Sequence, residues 1–338
     1  MPDVRPVSLS QLLLRKVLAV LDAFGRDITY LRHSVTRRCG FSCIYCADRD
    51  CPGSLAEELS LPEILRIAEV LSGMGITKVR LTGGEPLMRR DITEICRGIR
   101  DLPGVRTLAL TTNGFRLAET AQELCEAGVS RINISIDTRN PAVFARITGT
   151  PGAEAVLSGI EAALSAGFEK VKINAVLLKG LNDDAASIRD LAELSLRYPL
   201  DVRFIELMPA GGTASSGREF FSSGAAVLRA LPELREDPEE PVSGVARLYR
   251  LPGAQGRIGI IAPVSRRFCG GCNRIRVTAD GMLRPCLLSD REYRLRGLSA
   301  AEIRETVTKA LAMKPGEHTL SEDGNDDHIR IRMQRIGG

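Results

Sequence analysis

Predicted β-strands and α-helices alternate along most of the chain, and this alternation constrains the fold more than any other feature. The strands are short apolar or alternating runs, and the helices between them carry apolar residues at helical spacing. Strands are predicted at 28–36, 78–82, 106–112, 131–137, 170–178 and 201–208, and helices at 61–74, 91–100, 117–127, 153–166 and 184–197. Because strands joined by helices pair in parallel through right-handed crossovers, the pattern predicts an α/β fold.

Six such strands are too few for a closed eight-stranded barrel, so we expect a partial (β/α)6 TIM-like barrel over residues 1–230. A doubly wound nucleotide-binding sheet is the alternative, but no G-x-G-x-x-G motif follows the first strand. Residues 231–338 are expected to form a smaller C-terminal α+β part. It contains predicted strands at 245–251 and 257–262, a hairpin at 275–288 and a helix at 300–313. In barrels of this type the chemistry lies at the carboxyl ends of the strands.

A cysteine triplet follows the first predicted strand. Cys39, Cys43 and Cys46 have the spacing C-x3-C-x2-C, which supplies three thiolates where a closed site needs four. A [4Fe–4S] cluster held by three cysteines keeps one iron open for a small molecule. A zinc site completed by Cys51 is the alternative interpretation. The triplet therefore favours an iron–sulfur cluster with an open iron.

A second incomplete set lies in the C-terminal part. Cys269, Cys272 and Cys286 have the spacing C-x2-C-x13-C, and the predicted hairpin returns Cys286 to the side of Cys272. A zinc site completed by His318 or His328 remains open as an alternative, since zinc accepts three cysteines and one histidine. Two three-cysteine sets in one chain predict two clusters, and this second one is assigned to residues 231–338.

Composition describes an ordinary globular protein. The chain has 338 residues, of which 44% are hydrophobic and 26% charged, and no apolar run approaches the length of about 20 residues that a membrane helix needs. Nine cysteines without a secretory signal pattern predict a reducing, cytoplasmic compartment. The net charge of +4 is too small to indicate nucleic-acid binding, and we expect no membrane partner.

Arginine is concentrated around the second cysteine set. Eight arginines lie between residues 266 and 296, against three acidic residues. The guanidinium group presents a fixed fork of donors that suits phosphate. Arg274 and Arg276 alternate on a short predicted strand, so both should face the same side. This distribution indicates a small polyphosphate ligand beside a metal cluster.

With these motifs the chain resembles the GTP 3′,8-cyclases of molybdenum-cofactor biosynthesis, a family of radical S-adenosylmethionine (SAM) enzymes. The resemblance extends from about Phe24 to the last residue. Its segments are 30–36, 80–86 with Gly-Gly-Glu-Pro, 111–114, 132–137, 171–174, 203–209, 268–276 and the terminal Gly337-Gly338. The chain departs from the family after Cys46, where Ala47 to Pro52 replaces the usual Met-Pro and introduces Cys51.

The resemblance implies two [4Fe–4S] clusters, on Cys39, Cys43 and Cys46 and on Cys269, Cys272 and Cys286. It places SAM near Tyr45, Gly84, Ser135 and Met208. It places GTP on Arg32, Arg80, Thr111, Lys172, Arg274 and Arg276. Catalytic roles would fall to the first three cysteines, to Arg274 and Arg276, and to a tail ending in Gly337 and Gly338. Arg80 and Lys172 lie within apolar strands, where a long cation is unusual unless it lines a cavity.

The implied reaction is the radical cyclisation of GTP to (8S)-3′,8-cyclo-7,8-dihydroguanosine 5′-triphosphate, the first step of molybdenum-cofactor biosynthesis. Implied partners are a flavodoxin- or ferredoxin-like electron donor, a downstream cyclic pyranopterin monophosphate synthase and a second copy in a possible homodimer. Two alternatives remain open at this stage. One is a radical SAM enzyme with an auxiliary cluster acting on a peptide or another small substrate, and the other is a zinc-binding interaction protein.

Overall fold

One twelve-stranded sheet forms the framework of the protein in a computed structural model, which describes residues 20–46, 58–208, 219–237, 245–318 and residue 336. Across the sheet the strands follow the order β12-β11-β10-β1-β2-β3-β4-β5-β6-β9-β8-β7. Their bounds are β1 Tyr30–Ser34, β2 Lys78–Thr82, β3 Thr107–Thr112, β4 Arg131–Ser135, β5 Lys170–Leu177, β6 Asp201–Glu206, β7 Arg235–Glu236, β8 Arg247–Arg250, β9 Arg257–Ile261, β10 Arg274–Val277, β11 Met282–Arg284 and β12 Tyr293–Arg294.

Strands β1 to β6 lie side by side in chain order, and every neighbouring pair is parallel. Helices connect them, as the sequence pattern predicts. The helices are α1 Leu61–Gly73, α2 Ile92–Arg100, α3 Leu117–Glu126, α4 Pro141–Thr148, α5 Ala153–Ser165, α6 Ala185–Ala192, α7 Leu194–Arg197, α8 Ala225–Ala230 and α9 Ala300–Ala312. The two ends of the sheet are not hydrogen-bonded to each other, so the partial (β/α)6 barrel is confirmed.

Strands from the C-terminal part extend the sheet at both edges. Strand β9 pairs in parallel with β6, and β10 pairs in parallel with β1. The predicted hairpin at 275–288 is confirmed, since β10 and β11 are antiparallel and Gly281 between them has a positive φ of 85°. The second cysteine set therefore lies directly beside the first strand of the barrel.

The two faces of the strands differ in chemistry. Leu31, Val79 and Leu110 point outward into the apolar core beneath the helices and are fully buried. Their chain neighbours Arg32 and Arg80 point to the inside of the sheet, where they line a cavity. Strand side chains alternate between faces, so one sequence run supplies both a dry core and a charged interior.

Three differences from the sequence prediction are local. The predicted helix at 184–197 is two helices, α6 and α7, and neither α4 nor α8 was predicted. Helix α1 begins as predicted at Leu61, after the cap residue Ser60, whose backbone N–H donates to the Glu63 carboxylate at 2.8 Å. In the described ranges no helix has the length and apolar character to span a bilayer. A loop predicted at 210–217, part of the connection at 233–243 and the tail fall outside the described residues.

Candidate active site

A cavity of about 790 Å³ opens inside the sheet, and both cysteine triads line it. All the predicted site residues that the structure describes are found on its wall: Cys39, Cys43, Tyr45, Cys46, Gly84, Ser135 and Met208, then Arg32, Arg80, Thr111, Lys172, Cys269, Cys272, Arg274, Arg276 and Cys286. Gly337 and Gly338 lie outside the described residues, as do Cys51 and His328. The structure thus brings together two cysteine sets that are more than two hundred residues apart in the chain.

Helix α4 holds the loop of the first triad in place. The backbone N–H groups of Ser42 and Ile44 donate to the carbonyls of Thr148 and Ile147, at 2.8 and 2.9 Å. These carbonyls belong to the last turn of α4, whose own chain cannot satisfy them. The sequence does signal this helix: Asn140 caps its start, Pro141 follows, and Gly149 ends it with a φ of 71°. Reading that capping pattern would have located the helix itself.

The Gly-Gly-Glu-Pro segment packs against the same loop. A side chain at Gly83 would place its Cβ 2.6 Å from the Thr36 carbonyl oxygen, and one at Gly84 only 2.3 Å from that of Arg38. The close approach allows the Gly84 N–H to donate to Thr36 O at 2.7 Å. Glycine is required at these two positions because the backbones of two loops touch there.

Tyr45 joins the cysteine loop to the end of β4. Its hydroxyl donates to the Asp137 carboxylate at 2.7 Å, and the Val176 N–H donates to the other oxygen of that carboxylate at 2.7 Å. Burial raises the pKa of Asp137 to about 6. Glu206 is held in a similar way, since it accepts the backbone N–H groups of Gly224, Val264 and Ser265. Both carboxylates therefore serve as anchors for loops around the cavity.

The thiols of the first triad lie in surroundings that disfavour negative charge. Burial raises the pKa of Cys46 to about 12, and the neighbouring thiol of Cys39 and the carboxylate of Asp137 raise it further. Burial also raises the pKa values of Cys43 and Cys39. A positive metal centre would reverse this balance by stabilising the thiolates.

The second triad is surrounded by cations. Lys314, which is 3% exposed, has its Nζ 3.8 Å from Cys272 Sγ and donates to the carbonyls of Arg274 and Pro285 at 2.9 and 2.5 Å. Burial opposes ionisation of Cys272, but the charges of Lys314 and Arg274 outweigh it and lower the pKa of this thiol.

Arg26 supports the same triad from the other side. Its guanidinium donates to the Cys269 carbonyl at 2.8 Å and to the carbonyls of Gly316 and Pro315 at 2.9 and 2.7 Å, while its Nε pairs with Asp22 at 2.6 Å. Two cations therefore connect the three chain segments that carry or flank these cysteines.

The three thiols of each triad face the same cavity. Among the described residues, no three His, Cys, Asp or Glu side chains converge closely enough to hold one metal ion. Three thiolates on loops around one cavity are the donor set of a [4Fe–4S] cluster with an open iron.

Positive side chains far outnumber negative ones on the cavity wall. In the described part of the chain, ten Lys and Arg residues line it, against two acidic residues, Asp137 and Glu206. The ten are Arg32, Lys78, Arg80, Arg106, Arg131, Lys172, Arg203, Arg274, Arg276 and Lys314. Some of these cations stand side by side on neighbouring strands. Arg32 on β1 is in register with Arg276 on β10 and with Arg80 on β2. Like charges so placed repel one another unless an anion lies between them.

Burial lowers the pKa values of several of these cations. The pKa of Lys172 falls to about 7 through burial, and nearby Arg203 lowers it further, although Asp201 at 3.6 Å acts in the opposite direction. Burial likewise lowers the pKa of Arg203 to about 10, at which it keeps its charge near neutral pH. A polyanion in the cavity would raise the pKa of Lys172 again and restore its full positive charge.

Sequence reasoning missed half of this basic wall. Lys78, Arg106, Arg131, Arg203 and Lys314 were not singled out, although most of them stand at inward positions at or just before a strand. The sequence pattern that could have identified them is a Lys or Arg within an otherwise apolar strand, which was noted for Arg80 and Lys172. Applied to every strand, the same rule would have found four of the five.

Two family models match consecutive parts of the chain. Residues 33–192 match the Radical SAM superfamily, and residues 200–320 match Molybdenum Cofactor Synthesis C.

Curated relatives match nearly the whole length. A protein of Peptoclostridium acidaminophilum named GTP 3′,8-cyclase is 43% identical over 324 residues, which cover 94% of this chain and 98% of the relative. One of Pseudomonas entomophila (strain L48) with the same name is 40% identical over 331 residues, covering 95% of this chain and 98% of the relative.

Solved structures support the fold. Streptococcus suis SuiB bound to S-adenosylmethionine superimposes with a TM-score of 0.61 at 14% identity, covering 84% of this chain and 67% of that one.

Proposed function

The chain belongs to the GTP 3′,8-cyclase family of radical SAM enzymes, and from this premise we propose that it cyclises GTP to (8S)-3′,8-cyclo-7,8-dihydroguanosine 5′-triphosphate. The reaction moves a hydrogen atom from ribose C3′ to the adenosyl fragment of SAM and joins C3′ to C8 of guanine. One electron and one proton then complete the 7,8-dihydro product at N7, and an external reductant supplies this electron as well as the one that cleaves SAM. The cyclisation is the first step of molybdenum-cofactor biosynthesis.

The observation that carries the proposal is the single cavity shared by two three-cysteine sets and ten cations. The cysteines provide sites for two clusters, and the cations provide a site for a triphosphate. A neutral peptide would leave this positive charge uncompensated, so the composition of the cavity favours the nucleotide over the peptide alternative.

On the cavity wall, Cys39, Cys43 and Cys46 would hold the first [4Fe–4S] cluster, which when reduced supplies the electron that cleaves SAM. The remaining contacts to SAM are assigned to Tyr45, Gly84, Ser135 and Met208, all of which line this cavity. The tie between Tyr45 and Asp137 orients the aromatic ring, and the contact of Gly84 with the cysteine loop fixes the loop beside it.

Cys269, Cys272 and Cys286 would hold the second cluster, which would offer an open iron to the guanine base. The triphosphate is assigned to Arg32, Arg80, Lys172, Arg274 and Arg276, with Thr111 beside them. Arg80 is oriented for this task by its own hydrogen bond to Thr111 Oγ1 at 3.1 Å. Lys78 and Arg203 extend the same basic surface and join the proposed binding set.

The remaining assignments rest on family membership. The tail with Gly337 and Gly338 would enter the cavity and contribute to catalysis. A flavodoxin- or ferredoxin-like protein would supply electrons, a cyclic pyranopterin monophosphate synthase would consume the product, and the chain would form a homodimer.

The test is turnover with purified, anaerobically reconstituted protein. GTP, SAM and a reductant should yield 5′-deoxyadenosine in amounts that depend on GTP, together with an equal amount of the cyclic nucleotide. Iron and sulfide should approach about eight each per chain, as two [4Fe–4S] clusters require.

ATP and CTP serve as matched controls, because they carry the same triphosphate but not the guanine base. Deoxyadenosine formation that ignores GTP, or cyclisation of all three nucleotides alike, would refute the assignment. Zinc without iron or sulfide would exclude the radical mechanism altogether.

A further inference from the structure

Tyr30 occupies the middle of the basic wall and has no role in the assignments above. Its side chain lines the cavity and is only 9% exposed. Arg80 Nε donates to its hydroxyl oxygen at 2.5 Å, and Lys78 Nζ lies 4.5 Å from the centre of its ring. On the strand ladder it stands in register between Arg274 on β10 and Lys78 on β2.

The charged groups around Tyr30 are cations from each neighbouring strand. They are Arg32 on β1, Lys78 and Arg80 on β2, Arg203 on β6, and Arg274 and Arg276 on β10. The two carboxylates of the cavity lie elsewhere, at the ends of β4 and β6, where they accept backbone N–H groups. An ionised phenol would therefore place a negative charge directly among these cations, in hydrogen-bond contact with Arg80, and the Cys286 thiol beside Arg276 is a second group that could do so.

Electrostatics favours that ionised form. Burial alone would raise the pKa of Tyr30, but the charges of Arg80, Arg32 and Lys78 together outweigh it and lower this pKa to about 7. Near neutral pH a substantial fraction of the protein therefore carries a phenolate between the arginines.

We propose that Tyr30 is the internal counter-ion of the triphosphate-binding cations, and that the cavity takes up a proton on the Tyr30 oxygen when a triphosphate enters. The inference rests on the proposed function, because it assumes that the basic wall binds the triphosphate of the substrate. Tyr30 acts here as a positioning residue that keeps Arg80 and Lys78 in place before the substrate arrives.

The direction of the proton transfer follows from charge balance. A triphosphate brings several negative charges to the same cations and cancels the field that stabilised the phenolate. Burial then favours the neutral phenol, which takes its proton from solvent and can donate to a phosphate oxygen. Uptake on Tyr30 should be about half a proton near pH 7 and close to one by about pH 8.5, because the ligand-free phenol is then almost fully ionised.

Lys172 should also take up protons when a triphosphate binds, independently of Tyr30. Its pKa is lowered to about 7 in the free cavity, mainly by burial, and an anion would raise it again. The Tyr30 share must therefore be measured as a difference between proteins that both keep Lys172.

The experiment is titration calorimetry of the cluster-loaded, full-length protein without SAM or reductant, with GTP and separately with inorganic tripolyphosphate. Proton uptake is obtained from two buffers that differ in ionisation enthalpy. At about pH 8.5 the wild type should take up about one proton more than Tyr30→Phe, and at pH 7 about half a proton more. Tyr198→Phe, at a tyrosine outside the cavity wall, should match the wild type.

A direct readout accompanies the calorimetry. Addition of tripolyphosphate to the wild type should remove the ultraviolet difference absorption of tyrosinate, whether or not Tyr30→Phe folds. Equal proton uptake in wild type and Tyr30→Phe would overturn the inference, as would an unchanged tyrosinate signal in saturated wild type. Uptake with tripolyphosphate but no binding of GTP would refute the proposed substrate and leave the role of Tyr30 intact, whereas binding of neither would refute both.

Discussion

The two cysteine triads offer the same ligands to the same cavity, yet their surroundings carry opposite charge. The first lies beside the buried carboxylates of Asp137 and Glu85, and burial, reinforced by these carboxylates, raises the pKa of all three thiols. The second lies beside Lys314 and Arg26; burial raises the pKa of Cys269, but the cations lower that of Cys272. Residues next to the cysteines therefore give two identical sets of ligands different electrostatic environments.

This difference agrees with the two tasks proposed for the sites. Negative surroundings lower the reduction potential of an iron–sulfur cluster, and positive surroundings raise it. We therefore expect the first site to provide the stronger reductant, as cleavage of SAM requires. The second site, beside Lys314 and Arg26, suits a cluster that binds an electron-rich base.

Removing one ligand from either triad should have the largest effect and should separate the two tasks. Cys43→Ala and Cys272→Ala should each lose about four irons per chain, because a cluster with two protein ligands is not retained. Cys43→Ala should form no 5′-deoxyadenosine at all. Cys272→Ala should still cleave SAM slowly but yield no cyclic nucleotide, a loss of at least about 100-fold.

Cys125→Ala is the control, because this thiol packs against the core outside the cavity wall. It should keep full iron content and turnover. If Cys43→Ala and Cys272→Ala behaved alike in SAM cleavage, the division of tasks between the triads would be wrong.

The next largest effect concerns thiol chemistry in the metal-free protein. Only the thiolate reacts with alkylating reagents, so the reaction rate follows the ionised fraction. Cys46 has a pKa of about 12, so its reaction rate should keep rising with pH through the alkaline range. The rate for Cys272 should stop rising at a pH below the usual pKa of a cysteine thiol. At pH 8 we expect a rate ratio of at least about tenfold in favour of Cys272 after allowance for the lower nucleophilicity of a low-pKa thiol.

Mass spectrometry of peptides labelled at several pH values measures both rates in one sample. Labelling in denaturant gives the reference in which both thiols should react alike. Equal rates in the folded protein would show that the charged residues around the two triads do not change the ionisation of the thiols.

The sequence predicted the architecture of the barrel well, because its strands and helices are local patterns. The two cysteine spacings and the basic strand positions Arg80 and Lys172 were visible for the same reason. The pairing of β10 with β1 was not predictable, since register between segments so distant in the chain depends on the folded sheet. Lys314 was missed because its importance arises only when α9 brings it beside Cys272.

Helix α4 teaches a different lesson. Its capping residues Asn140 and Gly149 were readable, but its eight residues are too short for a convincing apolar period. Its function, to receive the first cysteine loop on its last turn, is a tertiary contact. Local signals can therefore show that such an element exists, while its role in the site appears only from packing.

Replacing Lys314, the cation beside the second triad, should have an effect of intermediate size. Lys314→Met removes a buried charge 3.8 Å from Cys272 Sγ and two hydrogen bonds to backbone carbonyls. We expect about a tenfold weaker retention of the second cluster and a lower reduction potential for it, with the first cluster unchanged. Lys314→Arg should restore much of the potential, because it keeps the charge.

Spectroscopic redox titration and iron counts after mild chelation measure these quantities. Lys309→Met, on the exposed side of α9, is the matched control and should change neither. A shift in the potential of the first cluster instead of the second would contradict the assignment of Lys314 to the second triad.

The smallest expected effect concerns the first triad, at the hydrogen bond between Tyr45 and Asp137. Tyr45→Phe keeps the ring but removes a donor to a buried carboxylate, a bond worth about 1.5–3 kcal/mol. Because the cysteine loop is also held by α4 and by Gly84, we expect it to remain folded, with SAM binding weakened several-fold and the second cluster unaffected. Equilibrium binding of SAM and iron counts before and after chelation measure the two effects. Asp137→Asn should weaken SAM binding at least as much, since the Tyr45 hydroxyl and the Val176 N–H donate to different carboxylate oxygens and the amide keeps only one. A loss of the second cluster in either variant would mean that the two triads are coupled through the cavity and are not tuned independently.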